Sequence, residues 1–246
     1  RTYKEIIVII CEVGLNHLGD TDYSNLYFTK LLESDCDAIT YQIREKEFYK
    51  RDKYKNFELS FDYYSSLISK SDDKKFGIAL ADKNLIDECE SIGVDFYKVL
   101  SWDLNDYNYI YNLLNKTSKY IYVSTGTSSF DDLDKFYHEF GNTKRIGLVH
   151  TQLTQEVKDT NLKALSTLSK FGFNVGFWNH CGNLNVIYSS LSFNPSDIWF
   201  YVKGLQKDHP DDNHAVSMFE VRKFVKNIKE VRLSVGDGQK KNTNTK

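Results

Sequence analysis

The stretch Gly93-Val-Asp-Phe-Tyr-Lys-Val-Leu-Ser-Trp-Asp103 combines a short apolar strand with a lysine in its middle. Residues from Asp95 to Leu100 are typical of a buried β-strand, and Lys98 lies within it. A charged ammonium in apolar surroundings is costly unless an anion neutralises it. We therefore expect an anion beside Lys98, and our hypothesis is a phosphorylated ligand. Ser101 and Asp103 follow where the strand ends, so we expect them near the same anion.

Similar strands alternate with helical segments along the whole chain. Such alternation predicts parallel strands joined by crossover helices. Eight strand–helix pairs predict closure into a single (β/α)8 TIM barrel over residues 1–235, with an open doubly wound sheet as the alternative. The predicted strands are Ile6–Cys11, Ala38–Gln42, Lys75–Leu80, Phe96–Val99, Tyr120–Ser124, Ile146–His150, Asn174–Trp178 and Ile198–Val202. The predicted helices are Tyr23–Ser34, Phe61–Lys70, Asn84–Ile92, Tyr107–Asn115, Phe130–Phe140, Asn161–Phe171, Leu184–Leu191 and Ser217–Val231.

Charge and composition limit the classes of partner. The 246 residues carry a formal net charge of −2, which gives no reason to expect binding to nucleic acid. No apolar run approaches the length of a transmembrane helix, and Ile6–Cys11 is too short for a signal peptide. Four widely spaced cysteines suit reduced thiols, so we predict a cytoplasmic protein without membrane partners. The polar residues 236–246 are predicted to be a tail or linker.

Polar side chains follow nearly every predicted strand. In an α/β barrel the C-terminal ends of the strands meet at one face, and chemistry takes place there. One polar strand end is ordinary, because strands commonly run into polar loops. A ring of them favours a binding site. The strand-end residues are Glu12, Gln42, Arg44, Lys98, Ser101, Asp103, Ser124, His150, Asn179, His180 and Lys203.

The segment Ser124-Thr125-Gly126-Thr127 lies between a predicted strand and a predicted helix. Backbone N–H groups and small hydroxyls at a helix start can bind phosphate or carboxylate. Together with Lys98 this segment predicts an anion site. Lys203 is either a second ligand-binding cation or a lysine whose stem packs while its ammonium reaches the rim.

Histidines supply the metal candidates. His180 is the preferred one, because Asn179 and Cys181 place it on a loop expected to face the barrel mouth. His209 and His214 lie among aspartates. We interpret them as part of a solvated, acidic surface loop, with cation binding as the alternative.

Several of these segments resemble the sialic acid synthase family, the phosphoenolpyruvate-dependent synthases of N-acetylneuraminate and related nonulosonates. The segments run in order along most of the chain, and the first and third are the most specific. They are Cys11-Glu-Val-Gly-Leu-Asn-His-Leu-Gly-Asp20, Cys36-Asp-Ala-Ile-Thr-Tyr-Gln42, Gly93-Val-Asp-Phe-Tyr-Lys-Val-Leu-Ser101, Val123-Ser-Thr-Gly126, Gly147-Leu-Val-His150, Val175-Gly-Phe-Trp-Asn-His180 and Val235-Gly-Asp-Gly238.

The resemblance implies a reaction and a set of roles. Carbon 3 of phosphoenolpyruvate attacks the open-chain aldehyde of an N-acylated hexosamine, and a divalent metal (Mn or Mg) polarises that aldehyde. Water then adds at carbon 2 and phosphate leaves. By position, Lys98, Ser101 and Ser124 match phosphoenolpyruvate contacts, Gln42 a sugar contact, and His180 a metal ligand. The implied catalytic residues are Glu12, Asp103 and His180, and Gly126, His150 and Lys203 complete the predicted substrate-binding set.

The chain departs from the family pattern at several positions. Thr40 replaces a family lysine, Trp178-Asn179 replaces Ser-Asp before the metal histidine, and Gly204 stands where a second metal histidine is expected. The family's C-terminal antifreeze-like domain is not expected within these residues, and a homodimer is a further expectation. Two alternatives therefore stay open: a catalytically degenerate relative that binds a sugar or phosphate as a regulatory or partner subunit, and a barrel lyase or aldolase with a Schiff base on Lys98.

Overall fold

A computed structural model describes residues 7–71, 73–206 and 208–240, and its central feature is a closed parallel barrel. Strands β1 to β8 pair in sequence order, and β8 pairs back with β1. The predicted TIM barrel is therefore confirmed, and the open sheet is excluded. The strands are β1 Val8–Gly14, β2 Ala38–Ile43, β3 Lys75–Leu80, β4 Phe96–Val99, β5 Tyr120–Ser124, β6 Ile146–His150, β7 Asn174–Trp178, β8 Asp197–Lys203 and β9 Val216–Ser217.

Helices cover the outside of the barrel. Within the described residues, none of them has both the length and the apolar character needed to cross a bilayer. The helices are α1 Thr21–Leu32, α2 Lys46–Tyr49, α3 Phe61–Ile68, α4 Ile86–Ser91, α5 Tyr107–Lys116, α6 Phe130–Phe140, α7 Ala164–Leu168, α8 Asn185–Ser190 and α9 Val221–Val235.

Many element boundaries shift by a few residues from the predictions, and the short helix α2 was not predicted. Two of the differences have identifiable reasons. Strand β1 runs on through Glu12, beyond the predicted end at Cys11, because Lys98 neutralises this carboxylate inside the barrel. The predicted first residue, Ile6, lies outside the described residues. Ser217, the predicted first residue of the last helix, instead belongs to β9, which pairs in parallel with the end of β8, and α9 begins at Val221.

The lower half of the barrel interior is filled by aromatic rings. Phe96, Tyr122 and Trp199 pack edge to face, with ring centres 5.0–6.0 Å apart. These rings need small residues on neighbouring strands. A Cβ added at Gly77 on β3 would overlap the Phe96 ring. The lower barrel interior is thus a packed core.

Asp197 is a buried carboxyl group in this lower core. It accepts hydrogen bonds from Trp199 Nε1 at 2.5 Å and from the Ser196 hydroxyl at 2.6 Å. Burial raises its pKa to about 6, although both hydrogen bonds oppose the shift. The ionised form is therefore destabilised in the folded protein.

Asp197→Asn is expected to stabilise the protein at neutral pH by about 1–3 kcal/mol. The pKa of Asp197 is higher in the folded protein than in the unfolded chain. The wild type therefore loses stability as pH rises from about 4 to about 6, and it does not regain that stability at higher pH. The asparagine oxygen can accept from Trp199 Nε1, and its amide N–H can donate to the Ser196 hydroxyl oxygen, without a charge. Urea unfolding at several pH values measures the difference, which should be smallest near pH 4. A difference that does not change with pH would contradict the prediction.

Candidate active site

The site is built around a buried ion pair that crosses the barrel interior. Lys98 on β4 lies 2.5 Å from Glu12 on β1, and neither side chain is exposed to solvent (0% for each). The Lys98 ammonium also lies 3.0 Å from the ring centre of Trp178. Burial lowers the pKa of Lys98 to about 8 and raises the pKa of Glu12, while their mutual attraction opposes both shifts. The anion expected beside Lys98 is therefore supplied by the protein itself.

A cleft of about 230 Å³ opens above this pair at the C-terminal ends of the strands. Among the predicted site residues, Gln42, Ser101 and His180 line it. Trp178 also lines it, and its ring lies against Lys98, so the indole separates the ammonium from the cleft. Trp178 was recognisable in the sequence only as a departure from the resembled pattern, and its position over Lys98 was not predicted.

The ends of β4 and β5 bring two predicted anion-binding hydroxyls together. Ser101 Oγ lies 2.8 Å from Ser124 Oγ, and the Gly126 N–H donates to Ser101 Oγ at 3.2 Å. A side chain at position 126 would press on Ser101 Oγ, so the glycine keeps this approach open. Two hydroxyls and one amide are thus gathered at one edge of the cleft.

On the opposite side the loop after β8 folds over the barrel mouth. His209 and His214 are only 5% and 7% exposed, so the interpretation of a solvated surface loop is wrong. The reason lies in contacts from distant segments. His209 Nε2 is bonded to the Tyr23 hydroxyl at 2.8 Å, and the His214 ring packs against Tyr201 and His180.

Both imidazoles at the cleft are in their neutral form at neutral pH. Burial lowers the pKa of His180 well below its ordinary value, and nearby His214 and Lys98 lower it further. Burial lowers the pKa of His214 to about 4. His180 Nδ1 is 2.8 Å from Thr151 Oγ1, which orients the ring. Neutral imidazole is the form that can bind a metal ion.

Three predicted site residues make contacts elsewhere. Asp103 binds Lys83 at 2.7 Å. His150 Nε2 faces the backbone carbonyls of residues 160 and 161, at 3.2 and 3.1 Å. Lys203 donates to the Asp212 carbonyl at 2.7 Å and lies 3.1 Å from its carboxylate, so it anchors the loop after β8. None of the three lines the cleft.

Two charged residues that line the cleft were absent from the predicted set of catalytic and binding residues. Arg44 lies over the rings of Phe48 and Trp102, 4.1 and 5.1 Å from their centres. Asp211 reaches the cleft from the loop after β8; burial and the nearby Glu12 charge raise its pKa to about 7. Arg44 stood in the ring of polar strand ends, so that signal could have found it. Asp211 has no comparable local signal.

Comparison with known proteins gives consistent relatives. An uncharacterized protein of Methanocaldococcus jannaschii is 28% identical over 94% of this chain and 73% of its own length. The N,N'-diacetyllegionaminic acid synthase of Legionella pneumophila is 26% identical over 95% of this chain and 74% of its own length. The crystal structure of N-acetylneuraminic acid synthetase from Leptospira borgpetersenii superposes with a TM-score of 0.86 at 21% identity, covering 97% of this chain and 88% of that one.

A family model also matches most of the chain. The profile of the NeuB family matches residues 26–240, which include the strand ends that carry Gln42, Lys98, Ser101 and His180. Since this match covers most of the chain and agrees with the barrel and its relatives, the chain belongs to the NeuB family.

Proposed function

We propose that this chain is a synthase that condenses phosphoenolpyruvate with an N-acylated hexosamine to form a nonulosonate. The observation that carries the proposal is the buried Lys98–Glu12 pair beneath a cleft that Gln42, Ser101 and His180 line at the mouth of the same barrel. These residues come from separate strands, and each matches a position that the reaction requires. Relatives that act as legionaminic acid and N-acetylneuraminate-9-phosphate synthases support the same class of chemistry.

The residues at the cleft suit a trianionic substrate and a sugar. The Ser101 hydroxyl lines the cleft and can bind phosphoenolpyruvate, Ser124 and the Gly126 N–H hold that hydroxyl in place, and Lys98 supplies the positive charge beneath them. Glu12 can hold or move a proton beside the reacting carbons. The Gln42 amide can bind a sugar hydroxyl from the neighbouring wall. The aromatic wall around Trp178 and Tyr201 excludes water from the reacting atoms.

The chemistry of the cleft fits a divalent ion at His180, Mn or Mg being our proposal. Its neutral ring is oriented through Nδ1 by Thr151, which leaves Nε2 as the nitrogen available to a metal. When bound, such an ion would act as a Lewis acid on the sugar aldehyde. The protein's own part is to hold the two substrates within reach of each other.

Turnover should require both substrates. With phosphoenolpyruvate, Mn²⁺ or Mg²⁺ and a panel of N-acylated hexosamines, we expect inorganic phosphate to be released only when a suitable sugar is present. Mass spectrometry should then find a product whose mass is the sum of the sugar and pyruvic acid. The absence of phosphate release with every sugar of the panel would contradict the proposal.

A second candidate function follows from the position of Trp178. Because this indole covers Lys98, an anion entering the cleft does not meet the ammonium directly. This arrangement favours a catalytically degenerate, ligand-binding subunit as the alternative. Thermal stabilisation by phosphoenolpyruvate without any turnover would identify it.

A lyase with a Schiff base on Lys98 would instead be revealed by borohydride trapping of a carbonyl substrate on this lysine.

A further inference from the structure

The loop after β8 places a second imidazole beside His180. The ring centres of His180 and His214 are 5.1 Å apart, with an angle of 36° between the ring planes. Two imidazoles bound to one ion through bonds of about 2.1 Å, at roughly 90–110° to each other, have ring centres about 4.5–5.3 Å apart. The observed ring-centre spacing of 5.1 Å lies within that range.

Nδ1 of each histidine in this pair has a partner, and Nε2 is the nitrogen left for a metal ion. His214 Nδ1 is 3.2 Å from the Gln155 side-chain amide, and His180 Nδ1 is held by Thr151. His214 Nε2 is buried and has no hydrogen-bond partner among the described residues. A buried nitrogen without a partner is uncommon, and it suggests a ligand. The nearest carboxylate oxygen, Asp211 Oδ1, lies 3.7 Å from it.

The strand end itself cannot provide this second ligand. Position 204, where the family resemblance places a metal histidine, is glycine, and a Cβ there would overlap the Tyr23 hydroxyl and the Met218 methyl group. The Gly204 N–H also donates to the Tyr27 hydroxyl. Tyr23 and Met218 thus occupy the space that a larger side chain at this position would need.

The loop that carries His214 is pinned from several directions. Lys203 holds Asp212, and the Asp211 N–H donates to Asn16 Oδ1 at 3.2 Å. Asn16 in turn donates to the Val202 carbonyl at 2.9 Å. His209 is fixed by Tyr23. These contacts hold His214 beside His180, so the pair is preorganised.

We infer that His214 replaces the missing strand-end histidine, and that His180 and His214 together hold the divalent ion of this chain. This inference rests on the proposed function, because that reaction calls for such an ion. No group of three or more His, Cys, Asp or Glu side chains among the described residues is arranged to hold a metal. The remaining coordination positions therefore fall to water and substrate oxygens, as a Lewis-acid site needs.

Metal binding without substrate tests the pair directly. Mn²⁺ affinity, from calorimetry or from the signal of free Mn²⁺ in electron paramagnetic resonance, should fall at least about tenfold in His214→Gln and in His180→Gln. The Co²⁺ form should show a visible absorption band that changes in both variants. His209→Gln is the matched control, since it alters a buried histidine of the same loop whose Nε2 is already bonded to Tyr23. Circular dichroism checks that each variant is folded.

Three results would overturn the inference: unchanged Mn²⁺ affinity in His214→Gln, an equal loss in His209→Gln, or no binding by the wild type at millimolar Mn²⁺. The test is independent of turnover. A protein that binds Mn²⁺ through both histidines but releases no phosphate would retain this inference and lose the proposed function. A protein that turns over but binds Mn²⁺ equally well after His214→Gln would do the reverse.

Discussion

Lys98→Met is expected to lower the free energy of unfolding by about 3–5 kcal/mol and to abolish phosphoenolpyruvate binding. The substitution keeps much of the side-chain volume but leaves the Glu12 carboxylate buried without its partner, at 0% exposure. Breaking one side of a buried ion pair costs more than the pair contributes, because the remaining charge stays desolvated. Urea unfolding measures the stability, and calorimetry measures the binding of phosphoenolpyruvate.

A second substitution, at Glu12, separates the loss of stability from the loss of phosphoenolpyruvate binding. Adding Glu12→Gln to Lys98→Met removes the unpaired charge and should restore most of the lost stability, but not the binding. Lys83→Met is the matched control: this lysine pairs with Asp103 but is 39% exposed, so its loss should cost about 0.2–1 kcal/mol. Phosphoenolpyruvate binding that survives in folded Lys98→Met protein would show that the ligand assignment is wrong.

Trp178→Ser is expected to destabilise the protein by about 3–5 kcal/mol and to strengthen phosphoenolpyruvate binding. The indole is 3% exposed, so its removal leaves a large cavity. It also lies on the Lys98 ammonium, so its removal opens a path from the cleft to that charge. Stability and affinity should therefore change in opposite directions.

A second tryptophan of the same cleft provides the control. Trp102 also lines the cleft but is 50% exposed and does not cover Lys98, so Trp102→Ser should change stability by less than about 1 kcal/mol. If Trp178→Ser does not fold, Trp178→Phe removes less of the side chain and still widens the path from the cleft to Lys98. Equal phosphoenolpyruvate affinity in the wild type and in folded Trp178 variants would show that the indole does not control access to Lys98.

Local patterns were sufficient for the framework of the barrel. The core of every strand from β2 to β7 lies where the apolar runs predicted it, because alternation and turn signals are properties of adjacent residues. The prediction of strands was less accurate where contacts with residues far apart in the chain decide the extent of a strand. Strand β1 extends through Glu12 because a lysine on β4 neutralises it, and β9 exists because the end of β8 offers it hydrogen bonds.

The same contrast holds for the candidate site. Gln42, Ser101 and His180 reach the cleft as expected, since the strand ends of a barrel converge by topology. Asp103, His150 and Lys203 stand at equally plausible positions but bind Lys83, two backbone carbonyls and Asp212. Whether a polar strand-end residue faces a ligand or a neighbour depends on partners that are remote in the chain.

The sequence by itself determined that eight strands alternate with helices, and that a lysine lies inside the fourth strand with polar groups at the surrounding strand ends. Only the tertiary structure decided that Glu12 neutralises Lys98, that Trp178 covers it, and that His214 comes to lie beside His180. Strand and helix periodicity is written in neighbouring residues. Charge pairing, ring packing and the path of the loop after β8 arise from contacts between segments far apart in the chain, which no local pattern records.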